Sequence, residues 1–277
     1  MKNADLHTHT FYSADSDISP EDLVKKAKKV GLKYVAITDH DCIGGIERAL
    51  KAGRKSGIEV IPGVEMHSEF GEVLGLFIDY NNKRLVEACR RNKKAVDKRA
   101  LKIINSLRKA GLCISIDEIR KRNRIRIVER PHIANELVRK GYAKSFRDAF
   151  DRFIAEGKKH FFKARFPTTF EAVRMIKQAK GIPVLAHPYQ ENYREEFRNI
   201  KKLVDAGLGG IEFPSKADLP QKRRLRNLAK KYNLVLTCGS DFHGSVHPHI
   251  LLGDYNCNES VVLALKKQQK FYCFALK

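Results

Sequence analysis

Short apolar runs alternate along the chain with segments of helical period. After a first run at the N-terminus, the apolar runs cover residues 34–38, 58–61, 73–80, 183–186, 209–213 and 234–238. Helical periodicity is found at 19–30, 43–56, 169–179, 195–206 and 220–232. Strands that alternate with single helices are typical of parallel β-α units. The pattern therefore predicts an α/β fold, arranged as a β/α barrel.

The middle of the chain breaks this rhythm. Residues 82–165 are helical in period and poor in strand signals. Between Asn82 and Pro131 there are 17 basic residues against five acidic ones, a net charge of +12 out of +22 for the whole chain. We therefore predict a metal-binding barrel at 1–81 and 166–277, with a basic helical insertion at 82–165 that caps the substrate. A field of this sign attracts phosphates.

Composition narrows the class of protein. The 277 residues are 43% hydrophobic and 31% charged, as in globular proteins. No apolar run approaches the roughly 20 residues that a membrane-spanning helix needs. The N-terminus has no apolar signal core, and the six cysteines are scattered without a C-x-x-C pair. We expect a cytoplasmic enzyme with no membrane association and no obligate protein partner.

Residue types that bind metals follow five of the apolar runs directly. They stand in Asp5-Leu6-His7-Thr8-His9, Thr38-Asp39-His40, Gly63-Val64-Glu65, Ala186-His187-Pro188 and Gly239-Ser240-Asp241-Phe242-His243. In a parallel barrel the carboxyl ends of the strands share one face, where active sites are built. Residues two apart in an extended segment point the same way, so His7 and His9 can bind one ion. One H-x-H is weak evidence, but five such sites in register predict a metal centre.

Mixed histidine and carboxylate ligands favour Mn, with Zn or Fe as alternatives, over Mg or Ca. Neighbouring ions can activate water for attack on phosphorus, so neither serine nor cysteine is required. Neither a G-x-S-x-G motif, a Walker loop nor a Rossmann fingerprint is present in the sequence. His67 could be a further ligand, but we interpret it as a surface or hydrogen-bonded histidine. His247 and His249 fall in a predicted loop that could line the mouth.

These motifs resemble those of the polymerase and histidinol phosphatase (PHP) superfamily over nearly the whole chain. The resemblance implies a distorted (β/α)7 TIM-like barrel with two or three divalent ions. His7, His9, Glu65 and Asp241 would bind one ion, Glu65 and His187 a second, and Asp15, His40 and His243 a third. Glu65, Asp241 and His243 are also the predicted catalytic residues. Asp17 is a rival to Asp15, and Glu72 stands where many relatives carry a histidine.

Two motifs of the insertion are Arg130-Pro131-His132-Ile133-Ala134 and Phe150-Asp151-Arg152-Phe153. They resemble the insertion of one branch of this superfamily, which includes 3′,5′-nucleoside bisphosphate phosphatases and 5′-to-3′ exoribonucleases. By this resemblance Arg130, His132 and Arg99 are predicted to bind a substrate phosphate that is not cleaved; arginine suits this role because its guanidinium binds phosphate in a bidentate way. The leading hypothesis is hydrolysis of the 3′-phosphate of a nucleoside 3′,5′-bisphosphate. The alternative is a 5′-to-3′ exoribonuclease on short 5′-phosphorylated RNA. A non-catalytic nucleic-acid-binding module and an amidohydrolase are less favoured, because the metal set is largely intact and no lysine stands at a mid-chain strand end.

Overall fold

The computed structural model describes residues 2–123, 125–188, 198–213 and 218–275. The chain divides by its internal contacts into two units, Met1–Arg90 with Pro167–Lys277, and Arg91–Phe166. The domain boundaries that we placed after residues 81 and 165 stay a prediction.

Within the described residues, one sheet of eight strands forms the framework of the first unit. The strands are β1 Lys2–Asp5, β2 Tyr34–Ile37, β3 Glu59–His67, β4 Glu72–Leu76, β5 Ile182–Leu185, β6 Gly210–Glu212, β7 Val235–Thr237 and β8 Cys257–Asn258. Their order in the sheet is β7-β6-β5-β4-β3-β2-β1-β8. The strands follow one another in sequence order from β1 to β7, as expected for a barrel.

The described helices occupy most of the segments that the periodicity predicted. They are α1 Pro20–Lys29, α2 Ile46–Ser56, α3 Lys83–Lys109, α4 Ile116–Asn123, α5 Arg130–Arg139, α6 Phe146–Ala149, a π-helical turn at Phe150–Ile154, α7 Thr169–Gln178, α8 Ile200–Ala206, α9 Leu219–Tyr232 and α10 Glu259–Ala275. The Ser19 side chain accepts a hydrogen bond from the Asp22 N–H, which confirms the predicted cap of α1. Residues 195–197 of the predicted helix 195–206 lie outside the described residues.

The strands are not all parallel, which corrects one expectation. β4 runs antiparallel to both β3 and β5, and β8 runs antiparallel to β1. The reason is the short connection between β3 and β4: antiparallel neighbours can be joined by a tight turn, whereas parallel ones need a crossover. The start of β4 therefore lies at the same end of the sheet as the carboxyl ends of the parallel strands.

The sheet nearly closes on itself next to the metal-binding motifs. The Leu6 N–H donates to the Cys238 carbonyl at 3.2 Å, and the Asp241 N–H donates to the His7 carbonyl at 2.9 Å. Thr8 forms a parallel bridge with Phe242. The segment that follows β7 thus lies beside the end of β1. The predicted TIM-like barrel of the α/β class is confirmed.

Successive residues of β2 pack into different apolar clusters. Val35 and Ile37 belong to a cluster that includes Leu23 of α1. Ala36 belongs to a second cluster, which includes Leu265 of α10. Because alternate side chains of a strand face opposite sides of the sheet, burial of both sides explains why β2 is a continuous apolar run. The second unit has its own apolar core, built from residues that include Ile103, Leu107, Ile119, Ile133 and Leu137.

Candidate metal centre

His7 and His9 lie on the extended segment after β1, and both are fully buried. Nε2 of His7 is 3.1 Å from Oε2 of Glu65, and Nε2 of His9 is 3.3 Å from the same oxygen. Oδ1 of Asp241 is 3.5 Å from His7 Nε2 and 3.2 Å from His9 Nε2. The four side chains that the family resemblance assigns to one ion therefore converge. The Asp241 side chain is 42% exposed, so it is also open to solvent.

Asp15, His40 and His243 converge on a neighbouring point. Oδ2 of Asp15 is 3.5 Å from Nε2 of His40 and 3.4 Å from Nε2 of His243. Together with His9, they offer ligand atoms that all lie within 4.8 Å of one another. Asp17, the rival in the sequence, instead accepts hydrogen bonds from the N–H and the hydroxyl of Ser245. The structure thus places Asp15 in the cluster and gives Asp17 a different partner.

Glu65 and His187, the predicted ligands of the second ion, also lie together, and Glu72 joins them. Nε2 of His187 is 3.0 Å from Oε1 of Glu65 and 3.4 Å from Oε2 of Glu72. Glu72 reaches this place because β4 is antiparallel and begins where β3 ends. The carboxylate therefore stands among the candidate ligands, where a histidine is common in relatives.

His67 contacts two carboxylates near the metal-binding cluster, one through each ring nitrogen. Its Nδ1 is 2.7 Å from Oδ2 of Asp41, in agreement with the interpretation as a hydrogen-bonded histidine. Its Nε2 is 3.3 Å from Oε1 of Glu72. His40, His67 and Glu72 together offer ligand atoms within 4.8 Å of one another. The sequence analysis considered His67 as a further ligand but did not combine it with His40 and Glu72, because the antiparallel pairing of β3 and β4 places Glu72 opposite His67.

Glu212 is a buried carboxylate that the sequence analysis missed. Its Oε1 is 3.0 Å from Nδ1 of His7, and its Oε2 accepts the backbone N–H of His187 at 2.6 Å. Glu212 is the last residue of β6, and the assigned ligands also follow the ends of their strands. This position at a strand end was the signal by which the sequence could have identified it. A carboxylate on the second ring nitrogen fixes the tautomer and the orientation of a metal-binding histidine.

The backbone of the site is unusual at several positions. Asp41, His187 and Asp241 have φ angles of 44°, 27° and 58°, a region that residues other than glycine rarely adopt. A Cβ on Gly239 would lie 2.2 Å from the Cβ of His7, so only glycine allows this approach. Such conformations persist only where the surrounding structure enforces them, and they concentrate at functional sites.

The buried polar atoms test whether divalent cations fit this site. Among the described residues, several buried ligand atoms make no contact with hydrogen-bond geometry, although some lie within 3.1–3.3 Å of one another. They include Nε2 of His7, Nε2 of His9, Nδ1 of His40, Oδ1 of Asp15 and Oε2 of Glu65. Leaving such groups without a partner is costly. Nitrogen and carboxylate oxygen donors that converge in this way are the ligands of Mn, Zn or Fe. The residues therefore fit divalent metal ions.

The mutual proximity of acids and imidazoles shifts their pKa values in the metal-free protein. Burial disfavours a charged His7, but Glu65, Glu212 and Asp241 outweigh this and raise the pKa of His7 well above its usual value. For His187 burial again opposes protonation, but the hydrogen bond and charge of Glu65 raise its pKa to about 9. Conversely, burial would raise the pKa of Glu65, but His7 and its neighbours hold that pKa well below its usual value. Cation binding here requires these histidines to lose their protons.

The predicted phosphate-binding residues lie in the second unit, where each has an aromatic or capping contact. The Arg130 guanidinium lies 5.8 Å from the ring centroids of Phe150 and Phe161. That of Arg99 lies 5.8 Å from the ring of Phe166. Nδ1 of His132 accepts the Glu129 N–H at 3.1 Å and so takes part in the cap of α5. Their role in substrate binding stays a prediction.

Comparison with known proteins agrees with the fold and the site. The family model described as PHP domain matches residues 5–272. A 5′-3′ exoribonuclease of Haemophilus influenzae is 34% identical over 251 residues, which are 87% of this chain and 90% of that protein. A 3′,5′-nucleoside bisphosphate phosphatase of Chromobacterium violaceum is 30% identical over 251 residues, 88% of each chain. The structure of a protein from Bifidobacterium adolescentis, named as a metal-dependent phosphoesterase, matches with a TM-score of 0.85 and 27% identity over 96% of each chain.

The barrel and its cluster of histidines and carboxylates define a metal-dependent phosphoesterase. The chain belongs to the PHP family, and it is a hydrolase that acts on phosphate ester bonds. Among the described residues, none of the helices is both long and apolar enough to cross a membrane.

Proposed function

We propose that this enzyme hydrolyses the 3′-phosphate of nucleoside 3′,5′-bisphosphates, with Mn as the preferred metal. The observation that carries the proposal is the convergence of His7, His9, Glu65 and Asp241. Further candidate ligand groups that include Asp15, His40, His187 and His243 share residues with this set. The relative from Chromobacterium violaceum, similar over 88% of the chain, supports the nucleotide substrate.

The residues that we propose as metal ligands are His7, His9, Asp15, His40, Glu65, His187, Asp241 and His243. Their three groups would accommodate two or three ions, and Oε1 and Oε2 of Glu65 face different groups. When bound, the ions would activate water and neutralise charge on the phosphoryl group. Glu65, Asp241 and His243 are the proposed catalytic residues. Asp241, as the most exposed of these three side chains, is suited to contact the reacting water or phosphate.

We further propose that Arg99, Arg130 and His132 bind the phosphate that is retained. Support comes from the charge of the two arginines and from the resemblance of the Arg130-Pro131-His132 motif to the insertion of this branch. A bidentate arginine contact adds both binding energy and selectivity for phosphate. The insertion would thereby select substrates with two phosphate groups.

A second candidate is a 5′-to-3′ exoribonuclease that acts on short 5′-phosphorylated RNA. The net charge of +12 between Asn82 and Pro131 favours it, because a groove that follows an RNA backbone needs many basic residues. The similarity to the Haemophilus influenzae exoribonuclease also supports it. Both activities use the same phosphoester chemistry and differ in the length of the substrate.

Parallel assays with Mn would separate the candidates. Adenosine 3′,5′-bisphosphate, a 5′-phosphorylated oligoribonucleotide and histidinol phosphate would be supplied at equal concentrations. Release of AMP and phosphate from the first substrate, at much higher kcat/KM than for the others, is expected. Stepwise release of mononucleotides from the RNA at equal or higher efficiency would favour the exoribonuclease, and preference for histidinol phosphate would contradict both.

The variant Arg130→Ala tests the role of the insertion. We expect KM for adenosine 3′,5′-bisphosphate to rise roughly 10- to 100-fold, as for loss of a charged hydrogen bond, with little change for a monophosphate. Arg147→Ala is the matched control, because Arg147 is 91% exposed in the same unit. Equal losses for both substrates would contradict the phosphate-binding role.

A further inference from the structure

A pair of aromatic residues, Phe11 and Tyr12, follows the first metal-binding motif after Thr10. Phe11 is 43% exposed, although most large apolar side chains of the barrel are buried. Its ring stacks on that of Tyr12, with centroids 4.9 Å apart and an interplanar angle of 27°. An exposed phenyl ring gives up the stabilisation that burial would provide. The sequence analysis did not single out this pair, because the sequence does not show which aromatic residues stay exposed.

The loop that carries Phe11 is fixed next to the metal centre. Phe11 is two residues from His9, so their Cα atoms are at most about 7 Å apart. The Phe11 N–H donates to the Ile18 carbonyl at 2.9 Å. Oγ of Ser13 is 3.0 Å from Nδ1 of His9, and Asp15 of the same loop is a proposed ligand. The ring is thus attached to a segment whose position the ligands themselves determine.

Tyr12 supports Phe11 from the protein side. A Cβ on Gly44 would lie 2.8 Å from two carbon atoms of the Tyr12 ring, and a Cβ on Gly45 would lie 3.0 Å from another. The tyrosine ring therefore packs directly on the backbone of these two glycines, where a larger residue would collide with it. This close contact leaves the tyrosine little freedom, and the ring stacked on it is held in turn.

Arg48 contacts both rings of the pair. Its guanidinium carbon lies 5.2 Å from the Phe11 ring centroid and 6.0 Å from that of Tyr12, both within the range of cation–π contacts. Its Nε and Nη2 each donate to a Glu21 carboxylate oxygen at 2.8 Å. This bidentate pair joins α1 to α2 and orients the guanidinium. The exposed Phe11 ring is therefore preorganised. A flat ligand could stack on it without a large entropic cost, because few side chains would have to become ordered.

We propose that Phe11 is a nucleobase-stacking residue that makes this phosphoesterase select nucleotides over sugar phosphates. The inference rests on the proposed function, because it takes the substrate to be a nucleotide or the end of an RNA chain. In such substrates an aromatic base is only one sugar away from the phosphate. Aromatic side chains stack on any base, so the contact provides affinity without sequence selectivity. Tyr12 and Arg48 are positioning residues for Phe11.

A binding experiment tests the proposal without depending on turnover. Dissociation constants of AMP and of ribose 5-phosphate would be measured by calorimetry on the Mn-loaded wild type and on Phe11→Ala, Phe11→Leu and Phe11→Trp. Wild type should bind AMP roughly 5- to 100-fold more tightly than ribose 5-phosphate. Phe11→Ala and Phe11→Leu should lose most of this difference, and Phe11→Trp should retain it. Equal affinity of wild type for the two ligands, or an undiminished difference in Phe11→Ala, overturns the proposal.

A kinetic arm separates this proposal from the proposed function. KM and kcat would be compared for adenosine 3′,5′-bisphosphate and its abasic analogue with the same two phosphates. Phe11→Ala should raise KM for the nucleotide only, with kcat and bound Mn unchanged. Leu263→Ala, at an exposed apolar side chain of α10, is the control and should change neither value. If wild type hydrolyses neither a bisphosphate nor RNA, the proposed function fails, whereas the binding experiment still decides the role of Phe11.

Discussion

The Glu212 carboxylate supports His7 from behind, with Oε1 3.0 Å from Nδ1 of the imidazole and the opposite nitrogen directed towards Glu65. The same carboxylate accepts the His187 N–H. One buried acid at the end of β6 thus connects two proposed ligands from different strands, and it lies behind the ligands rather than among them.

Glu212→Gln should weaken metal binding without abolishing it. The amide keeps the size of the side chain but removes the charge that orients and polarises His7. Loss of such a supporting group typically costs about 10- to 100-fold in metal affinity or activity. The dissociation constant for Mn, measured by calorimetric titration of the metal-free protein, reports the effect. An unchanged affinity would contradict the supporting role.

Glu72→Ala should remove a ligand from the group that contains His187, and Glu72→His should restore it. The expected outcome is a lower ratio of bound metal to protein in the alanine variant, measured by elemental analysis after dialysis. The histidine variant should bind as much metal as wild type, because imidazole replaces carboxylate as a donor. The same metal content in all three proteins would mean that Glu72 is not a ligand.

Removal of the metal should lower the thermal stability of the protein. Ions that bind the folded state alone stabilise it by an amount that grows with their concentration, about 2.7 kcal/mol at 100 times Kd. Chelation should therefore lower Tm, and added Mn should restore it. His9→Ala and Asp241→Ala should lose most of this response and most of the activity. Asp205→Asn, in an exposed pair with Lys201, is the control. A wild-type Tm that does not respond to chelator would contradict the metal centre.

The stability of the second unit should depend on pH through Glu136. This carboxylate is 3% exposed and accepts hydrogen bonds from Arg139 at 2.7 Å and 2.9 Å. The Arg139 hydrogen bonds lower its pKa, despite an opposing effect of burial. The stabilisation is complete above the unfolded-state pKa of about 4.3 and is lost as pH falls through the lowered folded-state value.

Glu136→Gln should reduce the free energy of unfolding at pH 7 by about 1–2 kcal/mol, and by progressively less below about pH 4. Glu118→Gln is the matched control, because the Glu118 side chain is 52% exposed in its pair with Lys140. Such a pair is worth about 0–1 kcal/mol. Urea unfolding at several pH values measures both differences, and a pH-independent difference for Glu136→Gln would contradict the assignment.

The local signals in the sequence were sufficient for most helices and for the main metal-binding motifs. The cap at Ser19 and the period of α1 act over a few residues, so they can be identified without the fold. The H-x-H spacing of His7 and His9 is equally local, and the rule that strand ends share one face of a barrel connected it to Asp241. The family resemblance extended these local signals to a distorted barrel with several ions.

Other features depended on contacts between distant segments. The sequence left Asp15 and Asp17 as alternatives, and the packing of Ser245 against Asp17 separates them in space. The antiparallel direction of β4 brings Glu72 to the cluster. It follows from the short turn between β3 and β4, which hydrophobic periodicity in the sequence does not reveal.

The sequence by itself determined the β/α rhythm, the ligand types and the family, because these follow from short-range periodicity and motif spacing. Only the tertiary structure decided which carboxylates face the cluster, which one supports it from behind, and which aromatic ring stays exposed beside it. Strand direction and packing are set by long-range burial, and a single amino-acid pattern is compatible with several such arrangements.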